Sequence, residues 1–291
     1  MNTALMAVGV CLALALGAAG FSARGVERGG SQQVAAPTPP LPTGFIFKSV
    51  KHEGQELEYV VYVPREYDPA KPMPAVVFLH GSGESGTDGQ KQIAQGIGTN
   101  ILWNASRWPC IVMMPQKPTD KKQWEEFDGA VMAMLAQTRA EYAIDADRIA
   151  LTGLSQGGHG TWTIGANHPD VWCALAPICG YGLWPREGKP GAASADEAAK
   201  FRAKIANKVK DIPIWCFHGE ADDVVPPSES TEMIEVIKTV QLVGGQSGAA
   251  SKAPEPRLTV YPKVNHGSWD RAYGEADLPG FLMQSRKSAL K

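Results

Sequence analysis

Two kinds of segment alternate along this chain from about residue 44 onward. Short runs of consecutive Val, Ile, Leu and aromatic residues predict buried β-strands, and longer segments between them predict helices. The predicted strands cover residues 58–64, 75–80, 110–116, 149–154, 173–179, 213–219 and 257–262. The predicted helices cover residues 125–142, a segment that begins at residue 155, residues 228–242 and the C-terminal region.

This alternation predicts the fold class. Strands that are apolar throughout are typical of a parallel sheet covered by helices on both faces, so we predict an α/β fold with a mostly parallel central sheet. In such sheets, binding and catalytic residues gather at the carboxyl ends of the strands. Segment 181–212 lies between two predicted strands, and we expect it to add at most a small cap.

The N-terminal segment differs from the rest of the chain. Residues 4–21 are almost continuously apolar and end in small residues, which predicts a secretory signal peptide over residues 1–22. An uncleaved membrane anchor is the alternative, because no Lys or Arg precedes the apolar run. Residues 23–43 are rich in Gly, Pro and Gln and predict a disordered linker. We therefore expect one catalytic domain over residues 44–291 in a secreted or periplasmic protein.

Composition and motifs narrow the possible partners. The 291 residues are 44% hydrophobic and 20% charged, with a formal net charge of −2 and no basic stripe, so we expect no nucleic-acid partner. The sequence contains neither an H-E-x-x-H motif nor a Cys/His cluster, and we expect no metal. A G-x-G-x-x-G string occupies residues 81–86, but the next predicted strand ends without the acidic residue that dinucleotide binding requires. We therefore expect no cofactor.

Four cysteines follow the N-terminal segment, and they are Cys110, Cys173, Cys179 and Cys216. None has C-x-x-C spacing, and we interpret them as small buried hydrophobic residues. Export would permit one disulfide that includes Cys179, with Cys173 as the partner that we favour.

The most informative motif is Gly-Leu-Ser-Gln-Gly at residues 153–157, between a predicted strand and a predicted helix. This pattern is typical of a nucleophile elbow, in which a strained turn exposes a serine hydroxyl. Side chains at Gly153 and Gly157 would collide with the neighbouring strand and helix. The pattern therefore predicts that Ser155 is a nucleophile.

A serine nucleophile needs a base and an acid that orients the base. His266 follows the last predicted strand on a loop that contains glycine, and it is the candidate base. His80 and His218 precede glycines at strand ends, where we expect each imidazole to brace a loop. Asp222 and Asp223 both follow the strand at 213–219, and the residues alone leave the choice of acid between them open.

Five segments together resemble a bacterial family of secreted α/β-hydrolase esterases, often labelled predicted peptidases. Its relatives include feruloyl esterases, polyhydroxybutyrate depolymerases and dienelactone-hydrolase-like proteins. The segments are HGSGESGTDG (80–89), LTGLSQGGHGTW (151–162), APICGYG (176–182), FHGEADDVVP (217–226) and LTVYPKVNHGSWD (258–270). The resemblance implies the α/β-hydrolase fold and assigns the acid to Asp222. Two features depart from the family pattern: Gln156 stands where methionine is commoner, and the loop at 244–256 is longer.

An ester hydrolase of this kind also needs an oxyanion hole and a pocket. We expect the backbone N–H groups of Gln156 and Ser82 to form the oxyanion hole. His159, Trp184 and Trp269 are candidate pocket residues. The predicted substrate is a carboxylic ester, such as a feruloyl or acetyl ester of a plant polysaccharide or similar polymer. The alternatives are a serine peptidase with the same three residues and a non-catalytic polymer-binding protein, and the sequence leaves the oligomeric state open.

Overall fold

A single eight-stranded sheet forms the centre of the computed structural model, which describes residues 42–183, 193–246 and 251–290. The strand order is β1-β2-β4-β3-β5-β6-β7-β8. The β1/β2 and β2/β4 pairs are antiparallel, and the pairs from β4 to β8 are parallel. The strands are β1 Gly44–His52, β2 Gln55–Val63, β3 Met73–Leu79, β4 Ile111–Pro115, β5 Ile144–Leu154, β6 Ala174–Ile178, β7 Trp215–Gly219 and β8 Arg257–Tyr261.

Helices cover both faces of this sheet. Successive residues of β3 show the division, because Val77 and Leu79 belong to one buried cluster while Val76 and Phe78 belong to the other. The helices are α1 Ile97–Trp103, α2 Asp128–Glu141, α3 Gln156–Asn167, α4 Ala195–Val209, α5 Ser228–Gln246, α6 Trp269–Gly274 and α7 Leu278–Gln284. Helices α2, α3, α4 and α5 contribute to the first cluster, and α1, α6 and α7 contribute to the second.

The predicted fold class is confirmed, and each of the seven predicted strands overlaps an observed one. Three elements, β1, α1 and α4, were not predicted from the sequence, and the single C-terminal helix predicted there is two separate helices, α6 and α7. The loop expected at 244–256 begins later, because α5 continues to Gln246.

Segment 181–212, where at most a small cap is expected, contains α4 at residues 195–209. Its Ile205, Ala206 and Val209 are buried in the first cluster. The helix begins with a capping box in which Ser194 and Glu197 bond to each other's backbone N–H. Segment 195–209 therefore belongs to the helical layer.

The four cysteines are buried with free thiols, as their interpretation as small hydrophobic residues predicted. The Cys173–Cys179 disulfide is wrong for a geometric reason. These two residues flank β6 at opposite ends, so their Cα atoms are roughly 20 Å apart at about 3.3 Å per residue. A disulfide requires Cα atoms within about 7 Å of each other.

The predicted signal peptide, and the predicted linker up to residue 41, lie outside the described residues. Within the described ranges, no helix is both long enough and apolar enough to cross a bilayer.

The elbow between β5 and α3 is closely packed against β3. A Cβ atom on Gly157 would lie 1.9 Å from the Leu79 carbonyl oxygen, and one on Gly153 would lie 2.3 Å from the Gly157 carbonyl oxygen. Both obstacles are backbone atoms, which cannot move without separating the strand from the helix. Glycine at these two positions therefore lets α3 begin directly at the sheet edge.

We expect Gly157→Ala to lower the free energy of unfolding by about 3 kcal/mol or more, because the new methyl group overlaps backbone. In thermal unfolding this corresponds to a Tm lower by roughly 6 °C or more. Gly83→Ala is the matched control, because a Cβ there meets nothing within 4 Å. Equal melting temperatures for the two variants would contradict this account of the elbow.

Candidate active site

Ser155 lies in the sharp turn between β5 and α3. Its backbone has φ +53° and ψ −116°, a strained conformation for a residue with a Cβ. Two hydrogen bonds hold the turn. The Ser155 N–H donates to the Ile178 carbonyl at 2.9 Å, and the Ser155 carbonyl accepts from the His159 N–H at 3.0 Å. This is the local geometry expected of a nucleophile elbow.

Ser155, His266 and Asp222 form one chain of hydrogen bonds. His266 Nδ1 lies 2.7 Å from Asp222 Oδ2, and His266 Nε2 lies 2.9 Å from Ser155 Oγ. Because a carboxylate oxygen only accepts, Nδ1 carries the hydrogen and Nε2 is left to accept from the serine hydroxyl. The structure thus brings together the three residues predicted from the sequence, while their catalytic roles stay predictions.

The Asp222 carboxylate is buried, and both of its oxygens accept hydrogen bonds. Its Oδ1 accepts from the N–H groups of Val224 and Val225, both at 2.9 Å. Its Oδ2 accepts from His266 and lies 3.1 Å from His218 Nε2. Burial acts to raise the pKa of this carboxyl, but the hydrogen bonds from the two histidines and the two backbone N–H groups outweigh it and hold the pKa well below its usual range. Asp222 is therefore ionised at neutral pH, whereas Asp223 is exposed.

Backbone contacts between two loops bring Asp222 to His266. The loop after β7 and the loop after β8 meet at Gly219, where a Cβ atom would lie 2.3 Å from the Asn265 carbonyl oxygen. The Ala221 N–H donates to the Val264 carbonyl at 2.9 Å across the same junction. Glycine at position 219 therefore lets the acid loop and the base loop touch.

The two expected oxyanion donors belong to segments next to Ser155. Gln156 is the first residue of α3, so its N–H has no acceptor within that helix. Ser82 begins a 3-10 turn over Ser82–Glu84, and a Cβ on the preceding Gly81 would lie 3.6 Å from Ser155 Cβ. The Gln156 side chain donates to the Asp120 and Lys122 carbonyls at 3.0 and 3.2 Å. It thus anchors a neighbouring loop, and only its backbone N–H remains for an oxyanion.

His80 fixes the loop that carries Ser82. His80 Nε2 accepts from the Lys117 N–H at 3.1 Å, so Nδ1 carries the hydrogen and donates to the Gly81 carbonyl at 2.5 Å. Burial lowers the pKa of this imidazole to about 3, which keeps the ring neutral. His80 therefore braces the loop, as the sequence analysis expects.

The three candidate pocket residues have different positions. Trp269 packs its ring edge-on against the His266 imidazole, with centroids 5.5 Å apart, and its Nε1 donates to Gln95 Oε1 at 3.1 Å. His159 is only 3% exposed; its ring stacks on Tyr181 at 4.7 Å and its Nε2 lies 3.2 Å from the Glu125 carboxylate. Trp184 lies outside the described residues. A contact between any of these side chains and substrate stays a prediction.

A groove of about 340 Å³ is lined by Gln95, which bonds to the Trp269 ring that packs on His266. This contact connects the groove to the catalytic histidine candidate. Trp103, at the end of α1, is 89% exposed at this groove. The lining residues are Gln95, Gly96, Thr99, Asn100, Trp103, Asp270 and Tyr273. The groove thus combines aromatic rings with amide, hydroxyl and carboxylate groups.

The side chains near the candidate acid and base do not form a suitable set of metal ligands. Cys179, Asp222 and His266 place one potential ligand atom each within 4.8 Å of one another, the only such group of three found over residues 42–183, 193–246 and 251–290. The Asp222 and His266 atoms are hydrogen-bonded to each other. Burial raises the pKa of the Cys179 thiol far above its usual range, so the thiol is protonated. The arrangement fits a hydrogen-bonded acid and base.

Two features escaped the sequence analysis. His218 was interpreted only as a loop brace, yet its Nε2 also reaches the candidate acid. The groove was missed because α1 was not predicted. In the sequence, the signal available for that surface was the adjacent apolar pair Leu102-Trp103, both of which are exposed in the structure.

Known proteins resemble this chain over most of its folded part. The family model described as "Putative esterase" matches residues 51–246. A poly(3-hydroxyalkanoate) depolymerase C from Paucimonas lemoignei is 29% identical over 189 residues, which are 56% of this chain and 44% of that protein. The chain thus matches less than half of the length of this relative.

Solved structures give the same result for the fold. A thermostable esterase superposes with a TM-score of 0.62 and 29% identity, covering 84% of this chain and 63% of the other. A ferulic acid esterase from Anaeromyces mucronatus, in complex with ferulic acid, has a TM-score of 0.59 and 19% identity, covering 86% and 92% of the two chains. Since the family model spans more than half of the chain and these folds agree, the chain belongs to the Esterase family and has the α/β-hydrolase fold.

Proposed function

We propose that this protein hydrolyses carboxylic esters through an acyl-enzyme on Ser155. The observation that carries the proposal is the hydrogen-bonded chain from Ser155 Oγ through His266 to Asp222. Membership of the Esterase family supports it. Nucleophile, base and acid stand in the order along the chain that is typical of α/β-hydrolases.

The proposed reaction has an acylation step and a deacylation step. His266 Nε2 removes the proton as Ser155 Oγ attacks the ester carbonyl carbon, and the backbone N–H groups of Gln156 and Ser82 stabilise the oxyanion. His266 then donates that proton to the leaving alcohol. Water attacks the acyl-enzyme with His266 again as the base, and the acid product leaves as Ser155 regains its proton.

Asp222 has the role of holding the imidazole. Its hydrogen bond to Nδ1 fixes the tautomer in which Nε2 accepts, and its negative charge stabilises the imidazolium that forms at each step. Its lowered pKa keeps it ionised throughout the neutral and mildly acidic range.

We expect Ser155→Ala to lower kcat for p-nitrophenyl acetate by a factor on the order of 10⁶, because the covalent route is lost. Thermal unfolding of the same variant should stay close to wild type, since the change removes one hydroxyl. Retention of a tenth of the wild-type turnover would rule out Ser155 as the nucleophile.

The two adjacent aspartates give a matched pair of variants. Asp222→Asn should lower kcat by on the order of 10⁴, because the imidazole takes the wrong tautomer. Asp223→Asn should lower kcat by less than about tenfold, because that side chain is exposed. Steady-state kcat of the two purified variants tests this assignment. A larger loss of kcat in Asp223→Asn than in Asp222→Asn would assign the acid to Asp223.

We propose that the ester is carried on a carbohydrate, such as a feruloyl or acetyl ester of a plant polysaccharide. The groove beside His266 supports this, because the exposed Trp103 ring suits the C–H face of a sugar and the polar groups around it suit hydroxyls. The second candidate is a hydroxyalkanoate polyester, which the depolymerase relative favours. A peptidase with the same triad is the remaining alternative.

Removal of the Trp103 ring tests the carbohydrate proposal. Trp103→Ala should raise KM for a feruloylated xylan oligosaccharide about tenfold, the loss of one stacking contact, and leave KM for methyl ferulate unchanged. Leu102→Ala is the control, because Leu102 is 62% exposed on the same helix but does not line the groove. Equal effects of Trp103→Ala on both substrates would contradict sugar binding there.

We also propose that the protein is exported. The apolar segment at residues 4–21, with small residues at its end, supports a cleaved signal peptide.

A further inference from the structure

A second histidine contacts the same carboxylate oxygen of the candidate acid as His266 does. His218 lies on β7, is fully buried, and has no part in the reaction steps described above. Its Nε2 lies 3.1 Å from Asp222 Oδ2 and 3.0 Å from the Val225 carbonyl oxygen. Its Nδ1 lies 2.7 Å from Ser230 Oγ, near the start of α5.

The neighbours of His218 fix where its hydrogens are. Both partners of Nε2 can only accept, so Nε2 carries a hydrogen, which it donates to the Val225 carbonyl with the Asp222 carboxylate 3.1 Å from the same nitrogen. Ser230 can either donate to Nδ1 or accept from it, so the hydroxyl satisfies this nitrogen whether the ring is neutral or charged. Ser230 therefore holds the imidazole with its Nε2–H towards Asp222.

As a result, both oxygens of Asp222 have N–H groups close to them. Oδ1 accepts from two backbone N–H groups of its own loop, while Oδ2 accepts from His266 Nδ1 and lies 3.1 Å from His218 Nε2. Loss of the His218 donor would leave Oδ2 with His266 alone in a position closed to water. The carboxylate would then be freer to turn and would hold more of its negative charge against His266.

We propose that His218, oriented by Ser230, is a positioning residue that fixes Asp222 Oδ2 for His266 and takes up part of the carboxylate charge. This inference rests on the proposed esterase function. Without the donor, Asp222 holds the imidazolium form of His266 more strongly. The acid limb of the activity profile then moves to higher pH.

Other titratable groups around Asp222 do not provide this effect. The thiol of Cys179 comes from the end of β6, and the thiol of Cys216 comes from β7. Burial raises the pKa of Cys216 to about 12 and that of Cys179 higher still, so both thiols are neutral. Asp223 on the same loop is exposed. Glu229 on α5 is buried and accepts from the Gly182 N–H at 2.9 Å.

The test compares two replacements of one side chain. His218→Phe keeps the ring shape without any N–H, and His218→Gln keeps an amide N–H near the place of Nε2. We expect His218→Phe to lower kcat for p-nitrophenyl acetate about tenfold or more, with KM within about twofold, and to move the acid limb up by at least about 0.5 pH unit. His218→Gln should recover most of both effects.

His168→Phe is the matched control, since His168 binds Asp128 at 2.8 Å instead of the candidate acid. It should leave kcat and the acid limb unchanged.

If folded His218→Phe has the wild-type acid limb and kcat, or if His218→Gln loses as much as His218→Phe, the proposal is wrong. If His218→Phe does not fold, Ser230→Ala decides by the same two measurements. A shifted acid limb supports the proposal, and an unshifted one overturns it.

A readout that needs no turnover separates this inference from the proposed function. The proton between His266 Nδ1 and Asp222 gives a downfield proton NMR resonance, which should move in His218→Phe and return in His218→Gln. A wild-type protein that hydrolyses no ester refutes the function. An unmoved resonance in folded His218→Phe refutes the positioning role.

Discussion

The buried charge of Asp222 is the constraint on which this site depends. A carboxylate taken out of water is strongly unfavourable unless donors replace its hydration. Here two backbone N–H groups and two imidazoles do so. The turn after β7 must therefore place the Val224 and Val225 N–H groups on one oxygen while it presents the other to both histidines. Few loop conformations meet both requirements.

The sheet supplies the remaining geometry. Parallel strands end at one edge, so β3, β5, β7 and β8 deliver the Ser82 loop, Ser155, Asp222 and His266 to the same place. Close contacts between backbone segments complete this geometry. Gly157 lets α3 begin against Leu79, and Gly219 lets the base loop touch the acid loop. Hydrogen bonds then hold Ser155 in a strained turn. The proposed reactive geometry is thus built by rigid backbone.

Much of this could be predicted from the sequence because local patterns determine it. Apolar runs predicted seven strands, and the glycines around Ser155 predicted the turn. Adjacent aspartates, however, have the same local chemistry. The residues alone could not choose between Asp222 and Asp223, and only the resemblance favoured Asp222. The structure adds the reason for its proximity to His266, which is a contact between loops that are about 40 residues apart in the sequence.

Other features depend on tertiary contacts that no local pattern encodes. The histidine at the end of β7 looked like a brace, and its close contact with Asp222 follows from the way that the loop returns over the strand. Helix α4, which lies within 181–212, was not predicted for a different reason. Ala198, Ile205 and Val209 are buried along α4 at helical spacing, a signal that the long connection between two strands obscured.

Covalent labelling tests whether Ser155 is the nucleophile that His266 activates. A fluorophosphonate reacts with a serine only when a base and an oxyanion hole assist, so the intact protein is treated at neutral pH, digested and mapped by mass spectrometry. We expect one adduct, on the peptide that contains Ser155, and none after prior denaturation. An unlabelled protein, or an adduct on another serine, would contradict this assignment.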